Sequence, residues 1–376
     1  MNSNLFRLVC FGSFLTSFSY GIMLTFPLFL SRTLALPLVM SGKIISMGII
    51  GVILSIVLIP ISLMYIRINR LACIGALIYS SAIIFALSGN NLFLYISGFM
   101  LGVGWGIIYT LSPIMVSSTS LLKELSKNFM LISAFNMLGA GLSPMLVKLL
   151  TDQGVLIEYI FIFAAFSSIV GSVIFFKIEI NNEQKNNNSP VLPIVKDIFT
   201  TKLVIPLVMV LLGACIFSSM MNFQFVFAEK RNLDFSIFYV AYTTAILFAR
   251  FFLTKFILKF EQKLVIICLL ILMLFSLCLF LFTTNNLLYI IPSGLLGISY
   301  GLVYPLIQTQ MVKDVDPNKR STFLTIFSLS YFIGVFGYPY FFTLGMKLCG
   351  ILISFLILIS LCIFDIICGL ILLRKR

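Results

Sequence analysis

Two charged residues lie deep inside long apolar stretches, and they are the first candidates for chemistry in this sequence. Arg250 lies about ten residues, or roughly 15 Å of helix, from the end of its stretch, and Asp365 about seven residues, or roughly 10 Å, from the end of the last one. A charge buried in hydrocarbon costs at least about 2.5–3.5 kcal/mol, so such residues usually serve a function. Arg250 could bind an anionic group or be neutralised by Asp365. Asp365 could carry a proton or, as we favour, stabilise the structure.

Aromatic and polar residues inside other apolar stretches are candidates for lining a cavity. Trp105 and Tyr109 lie one helical turn apart on one face, and Tyr300 and Tyr304 repeat that spacing, so the four rings could form one aromatic lining. Tyr and Trp also mark membrane interfaces, and Tyr289 and Tyr338 are candidates for that role, whereas Trp105 and Tyr109 lie well inside their stretch. The predicted cavity residues are Tyr20, Trp105, Tyr109, Asn222, Tyr300, Tyr304 and Gln308.

The composition indicates which elements must hold these residues. The chain of 376 residues is 61% hydrophobic and 10% charged, with a mean hydropathy of +1.15, whereas soluble domains carry about 25% charged residues. A membrane span needs about 20 mainly apolar residues. The sequence therefore predicts an all-α membrane protein with twelve transmembrane helices. The spans are near 7–30, 42–66, 71–89, 92–117, 128–150, 157–177, 203–227, 235–259, 264–283, 287–311, 321–345 and 351–372.

The distribution of charge predicts orientation and domain boundaries. The net charge is +13, but no basic, aromatic-interleaved face supports nucleic-acid binding, so we expect no such partner. Most of the 25 Lys and Arg residues fall on the side that holds both termini, which the positive-inside rule places in the cytoplasm. An Asn-rich stretch at 178–202 predicts a cytoplasmic linker between six-helix bundles at 1–177 and 203–376. We expect a monomeric, multi-pass protein in the lipid bilayer of a bacterial inner membrane.

An internal repeat indicates that the two bundles are related. The segment GVGWGIIY at 102–109 matches GISYGLVY at 297–304, an offset of 195 residues. The same offset relates Pro144 in the fifth stretch to Pro339 in the eleventh. A constant offset that holds across two consecutive helices is typical of transporters built from structural repeats.

The loop after the second stretch carries a short motif, Ser62-Leu-Met-Tyr-Ile66-Arg67-Ile-Asn69-Arg70. It resembles the Gly-x-Leu-x-Asp-Arg-x-Gly-Arg motif of the major facilitator superfamily, with Arg67 and Arg70 at the basic positions and Ile66 in place of the aspartate. The whole chain, with its twelve spans, central linker and repeat, is similar to that family. The resemblance implies two pseudo-symmetric six-helix bundles, a cavity lined by helices one, four, seven and ten, and a gating role for Arg67 and Arg70.

The predicted function is secondary active transport of a small molecule by alternating access, with a co-transported proton as a further candidate partner. We favour export of a small organic compound, either drug-like or a secreted metabolite such as a siderophore. The reason is that Gly139-Ala-Gly141-Leu-Ser-Pro144 loosely resembles the signature of exporters in that family. The alternatives are uptake of a nutrient or organic anion, and, in a different class, a transporter-like sensor or assembly protein.

An enzyme is not expected, because the sequence shows no nucleophile–base pair or other catalytic constellation. A metal site is not expected either, because histidine is absent and none of the eight cysteines forms a Cys-x-x-Cys pair. We therefore predict no catalytic residue, no metal ligand and no cofactor.

Overall fold

The computed structural model describes residues 3–119, 125–178, 204–257, 259–313, 315 and 320–374. Their regular structure is entirely helical. Most of the predicted linker at 178–202 lies outside the described residues. The helices are α1 (Ser3–Met23), α2 (Phe26–Arg32), α3 (Leu38–Ser46), α4 (Gly48–Tyr65), α5 (Ile68–Leu87), α6 (Asn91–Thr119), α7 (Leu125–Asp152), α8 (Ile157–Lys177), α9 (Val204–Glu229), α10 (Phe235–Phe248), α11 (Thr254–Ile257), α12 (Gln262–Leu281), α13 (Asn286–Lys313) and α14 (Arg320–Arg374), with a π-helical segment at Ala249–Leu253 between α10 and α11.

These helices account for twelve membrane crossings, as predicted. Eleven helical stretches among the described residues are long and apolar enough to span a bilayer. The last of them, α14, has 55 residues and bends at Gly350, where φ is 82° and ψ is 170°. A straight helix of that length would measure about 80 Å, far more than a hydrocarbon core of about 30 Å. Helix α14 therefore crosses twice, once on each side of Gly350.

The helices alternate in direction, which gives the molecule two faces. We call the face that holds the helix ends at Ser3, Tyr65 and Arg374 the base, and the face that holds the ends at Arg32 and Glu229 the top. Short turns join most neighbours, so consecutive helices are antiparallel. We refer to α1–α8 as the N-terminal helices and to α9–α14 as the C-terminal helices.

The glycines of the sequence repeat allow close helix packing. A methyl group at Gly102 on α6 would overlap the carbonyl oxygen of Gly48 on α4. A methyl group at Gly297 on α13 would overlap the carbonyl oxygen of Tyr242 on α10 in the same way. Small residues let helix backbones approach in membranes, where packing rather than the hydrophobic effect drives association. The repeat in sequence therefore corresponds to a repeated packing of neighbouring helices.

The N-terminal and C-terminal helices are joined by packing and by ion pairs near the top. Helix α3 packs on α14, and α7 packs on α10. Arg32 at the end of α2 forms an ion pair with Glu229 at the end of α9. Lys148 Nζ lies 3.4 Å from Asp234 Oδ2 at the start of α10. These two ion pairs join the helix groups at this face, so the top is closed by charged contacts in this conformation.

Candidate substrate-binding site

A continuous chain of aromatic rings crosses the middle of the protein between the two helix groups. Tyr20 on α1 stacks on Trp105 with ring centroids 4.2 Å apart and planes 4° from parallel. Trp105 contacts Tyr109 at 5.7 Å. Tyr109 in turn stacks on Tyr331 of α14 at 5.2 Å, with planes 9° apart. Since Trp105 is the central residue of α6, these rings lie near the middle of that helix, far from either of its ends.

The C-terminal helices contribute the other end of this chain. Phe217 on α9 stacks on Tyr300 at 5.0 Å, as Tyr20 stacks on Trp105. Tyr331 lies edge-on to Tyr304 at 5.1 Å, so it contacts rings from both helix groups. The structure thus brings together the predicted Trp105, Tyr109 and Tyr304, and it adds Tyr331, which the sequence interpretation missed and which packs on both Tyr109 and Tyr304. We call the rings of Tyr20, Trp105, Tyr109, Phe217, Tyr300, Tyr304 and Tyr331 the aromatic chain.

A signal for Tyr331 is present in the sequence. Applying the 195-residue offset to Tyr331 gives Asn136 on α7, a polar residue in an apolar stretch. The side-chain oxygen of Asn136 is buried without a hydrogen bond to any described residue. These two polar positions are related by the repeat and lie on the fifth and eleventh spans. They would have predicted that these spans line the cavity together with the first, fourth, seventh and tenth.

A small cavity lies beside the aromatic chain, towards the top. Its volume is about 30 Å³ when counted for the centres of water-sized spheres, which is room for about two water molecules. The cavity is therefore too small for an organic substrate, and the helices must separate to admit one. Its lining includes Tyr20, Tyr79, Asn222, Val335 and Phe336.

This space is lined by two of the predicted cavity residues, Tyr20 and Asn222. Asn222 Nδ2 donates a hydrogen bond of 2.8 Å to the carbonyl oxygen of Ser218 in its own helix. Tyr79 on α5, which packs 5.9 Å from Trp105, was not predicted. Gln308 is buried on α13 but is not among the residues that line the cavity.

Arg250 lies on the π-helical segment and joins the two helix groups. Its side chain is 5% exposed. Its Nε donates a hydrogen bond of 3.0 Å to the carbonyl oxygen of Gly301 on α13, and its Nη1 donates to the carbonyl oxygen of Ser133 on α7. Within the described residues it forms no ion pair, so the predicted alternative of neutralisation by Asp365 does not occur in this conformation. π-Helical segments are frequent at functional sites because they redirect side chains.

Asp365 lies on the second half of α14 and shares a cavity with residues of α9 and α13. It is 1% exposed, and neither carboxyl oxygen has a hydrogen-bond partner among the described residues. It shares a small cavity with Tyr300, Tyr304 and Gly213. Burying a carboxyl with no cation or donor beside it is expensive, so the position of Asp365 is costly for the fold.

The two predicted gating arginines lie at the base. Arg67 and Arg70 are both exposed, and neither forms an ion pair with a described residue. Between them, Asn69 is buried and its Nδ2 donates to the carbonyl oxygen of Phe176 at 3.4 Å.

No group of metal-binding side chains is found in the described ranges.

The sequence and the fold each match known proteins. A profile of the Major Facilitator Superfamily matches residues 9–339, which is most of the chain. The protein belongs to the major facilitator superfamily. Its fold is also similar to solved structures. The match to the human organic anion transporter TETRAN has a TM-score of 0.73 at 12% identity and covers 97% of this chain and 98% of that one. A variant of the nucleoside transporter NupG has a TM-score of 0.73 at 15% identity, covering 97% and 99%.

A third similar structure is a variant of the E. coli fucose:proton symporter FucP, with a TM-score of 0.66 at 12% identity and 97% coverage of both chains. No curated protein matches the sequence. At these identities the neighbours show the fold alone. They confirm the predicted all-helical fold of the superfamily, and the long apolar helices are those of a multi-pass membrane protein.

Proposed function

We propose that this superfamily member is a secondary active transporter that exports a small organic compound by alternating access. The observation that carries the proposal is the aromatic chain at mid-membrane, with a closed contact layer above it. Aromatic rings offer large apolar surfaces with defined stacking geometry, which suits a substrate that has a ring of its own. The base is the cytoplasmic face in this proposal, and the membrane is the bacterial inner membrane.

Alternating access requires contacts between the helix groups that can break on one face at a time. At the top these are Arg32–Glu229 and Lys148–Asp234, which are exposed or half-exposed ion pairs of modest strength. Nearer the base the contact is that of Arg250 with the carbonyl oxygen of Ser133. Ser133 lies eight residues, or about 12 Å, from the base end of α7. The two contact layers lie on either side of the aromatic chain.

Export is the proposed direction because the segment Gly139-Ala-Gly141-Leu-Ser-Pro144 loosely resembles the signature of exporters in the superfamily. A methyl group at Gly139 would lie 2.5 Å from the carbonyl oxygen of Phe14, and one at Gly141 would overlap the hydroxyl of Thr243 on α10. This segment therefore packs against both helix groups and is placed to couple them. Uptake of an organic anion is the second candidate, favoured by the buried cation Arg250.

A substrate-independent experiment tests alternating access. In a background without native cysteines, Asn222→Cys reports the cavity, and Arg32→Cys with Glu229→Cys can be joined across the top by a short thiol crosslinker that contains a reducible disulfide, because the ion pair spans two long side chains. We expect an impermeant thiol reagent to label the cavity cysteine from either face of the membrane. The crosslink should abolish labelling from the top face only, and reduction should restore it. Labelling from one face only in the unlocked protein, or labelling that ignores the crosslink, contradicts the proposal.

Asp365 is the proposed proton site, because its unpaired carboxyl shares a cavity with Tyr300 and Tyr304. In proteoliposomes, Asp365→Asn should lose transport driven by a pH gradient and keep exchange of substrate without a gradient. Gradient-driven transport by Asp365→Asn at the rate of the wild type would exclude proton coupling through this residue. Loading substrate on one side only, in each orientation, separates export from uptake.

A further inference from the structure

Arg250 is a buried cation without a carboxylate partner in the described structure. Its two hydrogen bonds go to carbonyl oxygens of Gly301 and Ser133, which are neutral acceptors and do not cancel its charge. A charge taken out of water is costly unless an opposite charge and good hydrogen bonds replace the solvent. The 195-residue offset relates Arg250 to Ser55 in the N-terminal helices, where the hydroxyl of Ser55 faces Gly106. The C-terminal helices therefore carry a costly charge where the N-terminal helices have a small neutral residue.

The groups around Arg250 are phenol hydroxyls. Arg250 Nε donates to the carbonyl oxygen of Gly301, the residue that follows Tyr300, and its charge interacts with Tyr242, Tyr109, Tyr300 and Tyr304. The hydroxyls of Tyr242, Tyr300 and Tyr304 are buried without a well-formed hydrogen bond to any described residue, although those of Tyr300 and Tyr304 lie close to the hydroxyls of Tyr331 and Tyr109. A buried hydroxyl that has lost its hydration without gaining a good hydrogen bond is free to donate to a ligand. Phenol hydroxyls around one uncompensated cation are the complement of an anion with several acceptor oxygens.

The same residues join this polar cluster to the aromatic chain. Tyr304 contacts Tyr331 at 5.1 Å, and Tyr300 stacks on Phe217 at 5.0 Å. A ligand whose acidic group reaches Arg250 would therefore place its apolar part among aromatic rings. Ring stacking and a charge-assisted hydrogen bond would act on one molecule.

We propose that Arg250, with the hydroxyls of Tyr242, Tyr300 and Tyr304, binds the carboxylate of an aromatic organic anion, and that this is the substrate class of the transporter. The inference rests on the proposed function. The bond from Arg250 to Ser133 crosses from the C-terminal to the N-terminal helices, so it breaks when the helix groups separate at the base. The released Nη1 then donates to the carboxylate in place of the Ser133 carbonyl oxygen. The carboxylate of the substrate and the carbonyl oxygen of Ser133, whose contact closes the base, therefore compete for the guanidinium group of Arg250.

Binding to the purified full-length protein tests the site. The probes are benzoate, phenylacetate and cinnamate, each paired with its neutral amide. Binding is read as quenching of Trp105, which is the single tryptophan of the chain and stacks on Tyr20. We expect at least one carboxylate to bind wild-type protein more tightly than its amide. If none does, the proposal is overturned whatever the variants show.

The variants assign the carboxylate to Arg250. Arg250→Gln should weaken carboxylate binding about ten- to hundredfold and leave the amide unaffected, because a hydrogen bond to a charged group is lost. Arg250→Lys keeps the charge without the planar fork and should lie between the two. Lys255→Gln is the matched control, since it removes an exposed cation from the next turn of the same span. Equal losses in Arg250→Gln and Lys255→Gln, or a carboxylate preference that survives in Arg250→Gln, would overturn the assignment.

The outcomes remain separable from those of the proposed function. Retained amide binding shows that each variant is folded, and Tyr304→Phe, which should weaken the carboxylate about two- to tenfold, tests the site if Arg250→Gln does not fold. The labelling experiment with Asn222→Cys needs no ligand. A working two-sided labelling pattern without carboxylate preference removes only the substrate class, whereas one-sided labelling removes alternating access itself.

Discussion

At the scale of single residues, Gly294 and Gly297 lie nearly one turn apart on α13 and meet different surroundings. A methyl group at Gly297 would overlap the carbonyl oxygen of Tyr242, whereas one at Gly294 would lie 3.8 Å from the side chain of Ala245, an ordinary contact. Backbone atoms cannot rotate away as a side chain can. The glycine of the repeat is therefore needed for the contact of α13 with α10.

We expect Gly297→Ala to destabilise the protein by about 1–3 kcal/mol, because overpacking displaces a helix backbone. Gly294→Ala should be neutral or stabilising by up to about 1 kcal/mol, since alanine favours the helix. Thermal unfolding of the two variants in the same detergent measures the difference. Equal melting temperatures would show that α13 and α10 separate without cost.

Asp365 gives a second prediction at this scale. Its carboxyl is buried beside Tyr300 and Tyr304 and lacks a hydrogen-bond partner in the described residues. A buried polar group without a hydrogen bond costs about 1–3 kcal/mol, which an apolar residue of similar size avoids. We therefore expect Asp365→Leu to raise the melting temperature while abolishing gradient-driven transport. A loss of stability would instead mean that the carboxyl has a structural partner.

At the scale of helices, the bend at Gly350 divides α14 into the last two spans. Its φ of 82° with ψ of 170° is a conformation that is essentially restricted to glycine. No heavy atom lies within 4 Å of the position of an added methyl group, so any effect of substitution comes from the backbone and not from packing.

Gly350→Ala should therefore lower the free energy of unfolding by about 1–3 kcal/mol, although the new side chain would face open space. Thermal unfolding measures the cost, and Gly294→Ala again serves as the control for a glycine in ordinary surroundings. An unchanged melting temperature for Gly350→Ala would show that the bend tolerates another backbone conformation.

At the scale of the whole molecule, the contact between Lys148 and Asp234 closes the top. Burial alone would raise the pKa of Asp234, but hydrogen bonds from Ser236 and the charge of Lys148 outweigh it, so the pKa lies below its usual value. A carboxyl with a lowered pKa stabilises the folded contact above its unfolded pKa of about 3.9. That contribution is lost only as the pH falls through the lowered value.

We therefore expect closure of the top to be insensitive to pH between about 5 and 8, and to weaken below about pH 4. Labelling of Asn222→Cys from the top face, measured across this range, checks the prediction. Lys148→Gln should increase that labelling by up to about fivefold at neutral pH, the effect expected for a partly exposed ion pair. Labelling that rises between pH 7 and 5 would point to another titrating group.

The sequence by itself determined the twelve spans, because hydrocarbon requires long apolar helices whatever their arrangement. It also determined the repeat and nominated Tyr20, Trp105 and Tyr304, because polar and aromatic groups inside apolar stretches need partners within the protein. These features are local along the chain, so periodicity and offset reveal them without knowledge of the packing.

Only the tertiary structure decided which residues meet between the two helix groups. It placed Tyr331 between Tyr109 and Tyr304, and it directed Arg250 to the carbonyl oxygens of Ser133 and Gly301 rather than to Asp365. The physical reason is that these contacts depend on the rotation and depth of helices far apart in sequence. A shift of one residue along a helix turns a side chain by about 100°, and neither hydropathy nor the repeat fixes that rotation.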